Sequence, residues 1–227
     1  MSIGFLAILC IGPAFGQTAF GQTFDVGIMV GVPATEFFET GSTASTHSSA
    51  SYATGTRRYT LGLTAEWHMT HSWGLELDAL YHRFGYGGIV NLMGVDTFTS
   101  ASFRVSGNAW DFPVLAKYRF GDKRVRPFVA AGGTLRYIAT AHEQGQQTFF
   151  VVGPLNTTTP ISTDSPTDLR KRVYPGVTVA GGLEFGAGRF KIIPQIRYTR
   201  WTANIANEGG LLRFAPNQAE FLLSAEF

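Results

Sequence analysis

The sequence predicts an all-β fold: an eight-stranded, antiparallel, up-and-down barrel that crosses a membrane. Three observations predict it. Apolar residues alternate with small or polar ones in eight separate segments. The connections between segments alternate between short and long. Aromatic residues gather at both ends of the segments and leave the middle to Leu, Val, Ile, Ala and Gly. Composition narrows the choice. Of 227 residues, 15% are charged, low against the roughly 25% of soluble chains. The 19 Phe, 8 Tyr and 4 Trp exclude a disordered chain. A net charge of +2 leaves no excess for a nucleic-acid surface. A single Cys excludes a disulfide scaffold. Past residue 25 no apolar run approaches the roughly 18 residues of a spanning helix.

The chain opens without charge. No ionisable side chain precedes Asp25, and Ile3 to Phe15 is an apolar run of the length of a signal-peptide core, although no basic segment precedes it. Ala14-Phe15-Gly16 and Ala19-Phe20-Gly21 are both small-x-small cleavage sites. Residues 1–21 are therefore read as an export signal, cut after Gly16 or Gly21, and 22–227 as the barrel. Cys10 leaves with the signal, which suits an oxidising compartment.

The strands follow in order. Phe24, Val26, Ile28 and Val30 form the apolar face of the first. Tyr59, Leu61, Leu63, Ala65, Trp67 and Met69 form the second, opposite Thr60, Thr64, Glu66 and His68. Leu75, Leu77, Ala79 and Tyr81 form the third. Trp110, Phe112, Val114, Ala116, Tyr118 and Phe120 form the fourth, and Val129 to Tyr137 the fifth. Val177, Val179, Leu183 and Phe185 form the sixth. Phe190, Ile192, Ile196 and Tyr198 form the seventh, and Phe221, Leu223, Ala225 and Phe227 the eighth. Successive side chains of a strand point to opposite faces, so each segment has one oily and one polar face.

Tight turns at 70–74, 121–125 and 186–189 alternate with connections at 32–57, 85–107, 139–172 and 202–217. That alternation is the connectivity of a membrane barrel with its short turns on the periplasmic side. The aromatics choose which face meets lipid. Trp67, Tyr118 and Phe120 fall at the short-turn end. Tyr59, Tyr81, Trp110 and Tyr198 fall at the long-loop end. Two such belts mark a wall facing a bilayer, with the rings at headgroup level. A soluble, lipocalin-like lipid-binding barrel, the alternative, would turn its apolar face inward.

Several stretches carry a family resemblance: Phe112-Pro113-Val114-Leu115-Ala116-Lys117-Tyr118-Arg119-Phe120 before a tight turn, Arg126-Pro127-Phe128-Val129-Ala130-Ala131-Gly132-Gly133, Pro194-Gln195-Ile196-Arg197-Tyr198, and the final strand. The chain resembles the outer-membrane β-barrels of Gram-negative bacteria, most closely the small OmpA-type eight-stranded members, over essentially the whole segment after the signal. The resemblance implies an outer-membrane location with both termini periplasmic and insertion by the outer-membrane assembly machinery. Phe221, Leu223, Ala225 and Phe227 are similar to the signal that machinery reads. Unlike full-length OmpA, the barrel is expected to be followed by no peptidoglycan-binding domain.

On the polar face, Glu66, Glu76, Asp78, Glu184 and Glu220 meet Lys117, Arg119, Arg136 and Arg197. An eight-stranded lumen is only wide enough for side chains, and buried charges must be paired. These residues are therefore expected to form an ion-pair network that plugs the lumen, with Glu66 and Glu220 paired to Arg119, Arg136 or Arg197. Outer-membrane lipid and lipopolysaccharide are the expected surroundings, with no cofactor, no metal site and no nucleic acid. His68, His71 and Ser72 raise the alternative of a lipid A acyl hydrolase, but the turn holding them lies at the end away from lipid A. His82 and the His142-Glu143 pair read as rim residues. The Ser/Thr-rich stretch Thr40 to Thr56 is expected to be mobile. Arg170-Lys171-Arg172 is placed near lipopolysaccharide phosphates. The reading is of a non-enzymatic envelope barrel that acts through structure or surface interaction.

Overall fold

The computed structural model describes residues 24–55, 57–121, 124–151, 156–163, 172–187, 190–202 and 212–227. The export signal, both cleavage positions, Arg170 and Lys171 lie outside the described residues. Eight strands form the wall: β1 (Phe24–Pro33), β2 (Thr60–His68), β3 (Trp73–Met93), β4 (Thr97–Arg119), β5 (Val125–Val151), β6 (Val173–Ala187), β7 (Phe190–Trp201) and β8 (Asn217–Glu226). Each pairs antiparallel with its neighbours in sequence. The ring closes where β1 meets β8, with Ile28 opposite Ala225 and Val30 opposite Leu223. Closure leaves no unpaired edge in the wall, which lipid could not solvate.

The wall has its oily face outward. Leu63 is 63% exposed, and Ile28, Val114, Val179, Ile196 and Leu223 are also exposed. Glu66 and Lys117, one residue out of phase with that face, are fully buried. This orientation removes the lipocalin-like alternative. Tight turns join β2 to β3 and β4 to β5. In the second, Gly121 takes a φ of +76°, a conformation that side-chain-bearing residues avoid.

The aromatic belts lie on this outer face. At the turn end Trp73 packs on Tyr118, with ring centroids 4.9 Å apart. At the loop end Tyr81 packs on Trp110 at 5.4 Å, and its hydroxyl donates to Asn108 at 2.7 Å. Trp73 and Tyr81 stand eight residues apart on β3. That is roughly 26 Å along a strand rising about 3.3 Å per residue, or about 20 Å along the normal at a tilt of about 40°, close to the roughly 25 Å apolar band of such barrels.

Beyond the loop-end belt the structure departs from the sequence expectation. Residues 85–107, expected to be an irregular connection, continue β3 and β4 as one long hairpin, paired from Phe84 with Gly107 up to Met93 with Phe98. β5 likewise runs on past residue 139 to Val151, and Asn156–Thr163 pairs back onto it. The alternation there mixes Thr, Ser, Gln and Gly with Phe and Val, so it reads weakly. Tyr86 and Val105 at its base are buried; toward the tip, cross-strand pairing holds it. The stretch expected to be mobile also pairs: Ser48–Thr54 adds to the edge of β3 between Tyr86 and Leu92, and Ser42–Ala44 adds to Ser48–Thr54. An unpaired β3 edge offers backbone partners to whatever chain lies beside it.

At the loop end Phe38–Thr40 pairs with Leu212–Phe214 and folds into the mouth. Phe37, Phe38, Phe84, Tyr86, Tyr174, Trp201 and Phe214 pack there as a buried aromatic cluster. Replacing Leu63, midway between the belts, by Arg is expected to cost about 2–4 kcal/mol of stability in vesicles. Leu63→Ile should change it little. Urea unfolding of the refolded protein checks this, and a loss below about 0.5 kcal/mol for Arg would contradict a lipid-facing wall.

Candidate functional site

The interior is built in layers. The lowest begins with a conflict. Glu66 on β2 and Glu76 on β3 stand directly opposite each other, a like-charge arrangement that destabilises a sheet. Lys117 of β4 resolves it: its Nζ donates to Glu66 at 3.0 Å and to Glu76 at 2.9 Å. Arg119, one inward position closer to the turn, bonds the other oxygen of Glu66, and its Nε donates to Glu184 at 2.6 Å. Arg126 bonds Glu184 from the opposite position on β5. Arg197 crosses from β7 to Glu76 and Asp78, at 2.9 Å from each. Glu66, Glu76, Asp78, Glu184, Lys117, Arg119 and Arg197 are thus joined through shared partners.

Gly74 makes room for this. A Cβ there would collide with the Glu66 carboxylate and press on the Arg119 guanidinium. Apolar side chains fill the adjoining space, with Leu115, Phe128, Ala130 and Ile193 on one side and Met29, Leu80 and Leu222 on the other. Lys117 also lies over the Phe128 ring, 4.4 Å from its centroid.

The upper layer is centred on Arg136. Its Nε and Nη2 both donate to Asp111, directly opposite on β4, at 2.7 Å each. Its guanidinium lies between the rings of Phe37 and Trp201, 4.1 Å from each centroid. Phe37 comes from the inward-folded first connection, so one cation ties that segment to the wall. His82 Nε2 lies 3.1 Å from Asp111, and its Nδ1 lies 3.3 Å from Thr60. Thr60 in turn donates to Glu220 at 3.1 Å. A cavity of about 20 Å³ lies among these groups, room for a single water.

Glu220 and Arg136 therefore depart from the pairings expected of them. Glu220 faces Arg197 in the register, but the long arginine side chain reaches toward the turn end, where two carboxylates converge. Arg136 finds its carboxylate on the adjacent strand. Asp111, His82, Phe37 and Trp201 were not foreseen as site residues. The one available signal was Asp111, a lone charge between Trp110 and Phe112 on the inward face of its strand.

At the turn end His68 Nε2 lies 2.6 Å from Asp25, which also bonds Lys191. The ring is engaged by a carboxylate, and Ser72 contributes its backbone oxygen to the Arg119 amide. Among the described residues the His68 ring meets Asp25 and Lys191 rather than a serine hydroxyl, which the acyl hydrolase alternative requires. His142 lies on the β5 extension, opposite Ser106. Tyr59, Trp67, Tyr81, Trp110, Tyr118, Phe120 and Tyr198 lie on or beside the outer face, none of them buried. Phe221, Leu223, Ala225 and Phe227 share the outer face of β8.

A closed antiparallel ring, oily outside and ionic within, defines a transmembrane β-barrel. The chain belongs to the outer-membrane protein β-barrel domain family, whose pattern matches residues 15–200. It lies in the outer membrane of a Gram-negative bacterium. No curated protein matches it. Among solved structures it is similar to Neisserial surface protein A, at 14% identity over 91% of this chain and 97% of that one, with a TM-score of 0.36. OprG from Pseudomonas aeruginosa matches at 12% identity over 91% and 94%, with a TM-score of 0.42. Ail, the attachment invasion locus protein of Yersinia pestis, matches at 13% identity over 89% and 96%, with a TM-score of 0.32.

Removing Lys117 alone leaves Glu66 and Glu76 facing each other. Lys117→Met is expected to cost about 3–5 kcal/mol. Adding Glu76→Gln should restore part of that loss. Equilibrium unfolding of the two variants checks the coupling, and additive effects would argue against it.

Proposed function

We propose that the protein is a non-conducting, non-enzymatic envelope barrel that acts through its loop-end surface. One observation carries this reading: the interior holds a layered ion-pair network, and a buried aromatic cluster packs at its loop end. Buried, mutually paired charges resist removal, since an unpaired partner would remain in the low-dielectric interior. A lumen filled in this way is plugged.

The reading extends to orientation and biogenesis. Residues 1–21 act as a cleaved export signal. Both termini and the short turns lie in the periplasm, and Phe221, Leu223, Ala225 and Phe227 present the insertion signal to the assembly machinery. The extension of β3, β4 and β5 then projects outward. Met93 lies twelve residues beyond Tyr81, about 40 Å along the strand. The tip exposes Met93, Phe149, Phe150 and Val95, the last 99% exposed. An apolar surface so far from the bilayer supports a role in binding a surface partner.

Two measurements test this. In planar bilayers the purified protein should give no conductance, and openings of roughly tens of picosiemens would overturn the plug expected of a lumen this narrow. In whole cells, Val95→Cys should react with a membrane-impermeant maleimide while Arg124→Cys, in a short turn, stays unlabelled. The reverse pattern would invert the orientation.

A further inference from the structure

The outer wall carries a basic trough just above the loop-end belt, and its origin is a gap in the sheet. β2 pairs with β3 up to His82, and Ser48–Thr54 pairs with β3 from Tyr86 onward. Gly55 still donates to the Gly85 carbonyl at 2.9 Å, so among the described residues the ladder along this edge is interrupted at Arg83 and Phe84. The outward positions of β3 here are Arg83, Gly85 and Gly87, in phase with Tyr81. Those of β4 are Arg104 and Ser106, in phase with Trp110. The two glycines present no side chain, so a cavity of about 460 Å³ opens between the arginines, with Arg57 also lining it. That volume falls within the roughly 300–1,000 Å³ of small-molecule sites.

Its charge is one-sided. No carboxylate lines the trough among the described residues. Arg58, by contrast, is bonded to Glu36. Arg57, Arg83 and Arg104 have no carboxylate partner among the described residues. Three guanidiniums around a depression floored by glycine form a fork-shaped donor set suited to phosphate. Height supplies the second constraint. Arg83 is two residues beyond Tyr81, roughly 7 Å along the strand. Arg104 faces Gly87, about 13 Å further. The trough thus begins where headgroups begin and rises above them.

We infer that Arg57, Arg83 and Arg104 form a binding site for a phosphate-bearing ligand, the phosphorylated sugar headgroup of outer-leaflet lipopolysaccharide being the source its height favours. This rests on the orientation proposed above, with the loop end outermost. It assigns to these residues a contact expected from sequence of Arg170-Lys171-Arg172.

The test uses the full barrel folded in zwitterionic detergent. Purified lipopolysaccharide and inorganic phosphate are titrated separately, with bound ligand followed by native mass spectrometry. The wild type should bind lipopolysaccharide. Arg83→Gln with Arg104→Gln should weaken binding about tenfold or more, in keeping with the loss of charge-assisted bonds. Ser106→Glu, which places a carboxylate between the arginines at an exposed position, should do the same. Arg-dependent binding of inorganic phosphate alone would support the site and identify free phosphate as a ligand. Unchanged lipopolysaccharide binding in both variants, or no binding of either ligand by the wild type, would overturn it. Mobility with and without boiling, together with the maleimide labelling, reports separately on the barrel and its orientation. A failed site and a failed orientation are therefore distinguishable.

Discussion

Closure of the ladder between β1 and β8 is the constraint on which everything else rests. A strand inside hydrocarbon must satisfy every backbone N–H and C=O from a neighbouring strand. The pairing of Phe24–Pro33 with Asn217–Glu226 meets this at the two ends of the wall. Once the ring is closed, one face of every strand is enclosed in a narrow cylinder and the other meets lipid. The polar side chains then have no solvent, and the interior must satisfy itself.

The interior does so by sharing partners. The Glu66–Glu76 opposition would repel if left alone, and Lys117 converts it into a three-membered bridge. Arg119 and Arg197 extend the bridge to Glu184 and Asp78. Glu66, Glu76 and Glu184 each answer to more than one cation, so no single pair can be judged in isolation. Gly74 belongs to this network although it carries no charge, because the Glu66 carboxylate occupies the space a side chain would take. The Arg136 layer is separate in kind. There a bidentate pair and two aromatic rings fasten an inward-folded segment, linking electrostatics to the packing of the loop end.

Outside the bilayer different rules apply. Water can solvate an open edge, so the sheet is free to run past the belt, to accept Ser48–Thr54 along one side, and to leave a gap beside Arg83. The wall is regular where lipid forbids gaps. The basic trough and the exposed tip both lie where it does not.

Much of the wall was legible in the sequence because its signal is local. Side chains alternate faces at every residue, so Leu61, Leu63 and Trp67 had to share one face and Thr60, Thr64 and Glu66 the other, whatever the rest of the chain did. The belts followed by adding strand length to that alternation. The continuation of 85–107 as strand was not legible, because its Ser, Thr, Gly and Asn become strand only when a neighbour pairs with them. The ion pairs were not legible either. Glu220 faces Arg197 yet bonds Thr60, and Arg136 takes Asp111, because a long side chain chooses partners by reach across the lumen rather than by position along the chain. The sequence by itself determined which residues face in and which face out. The register and width of the closed ring decided which of them meet, since those distances exist only once eight strands have found their neighbours.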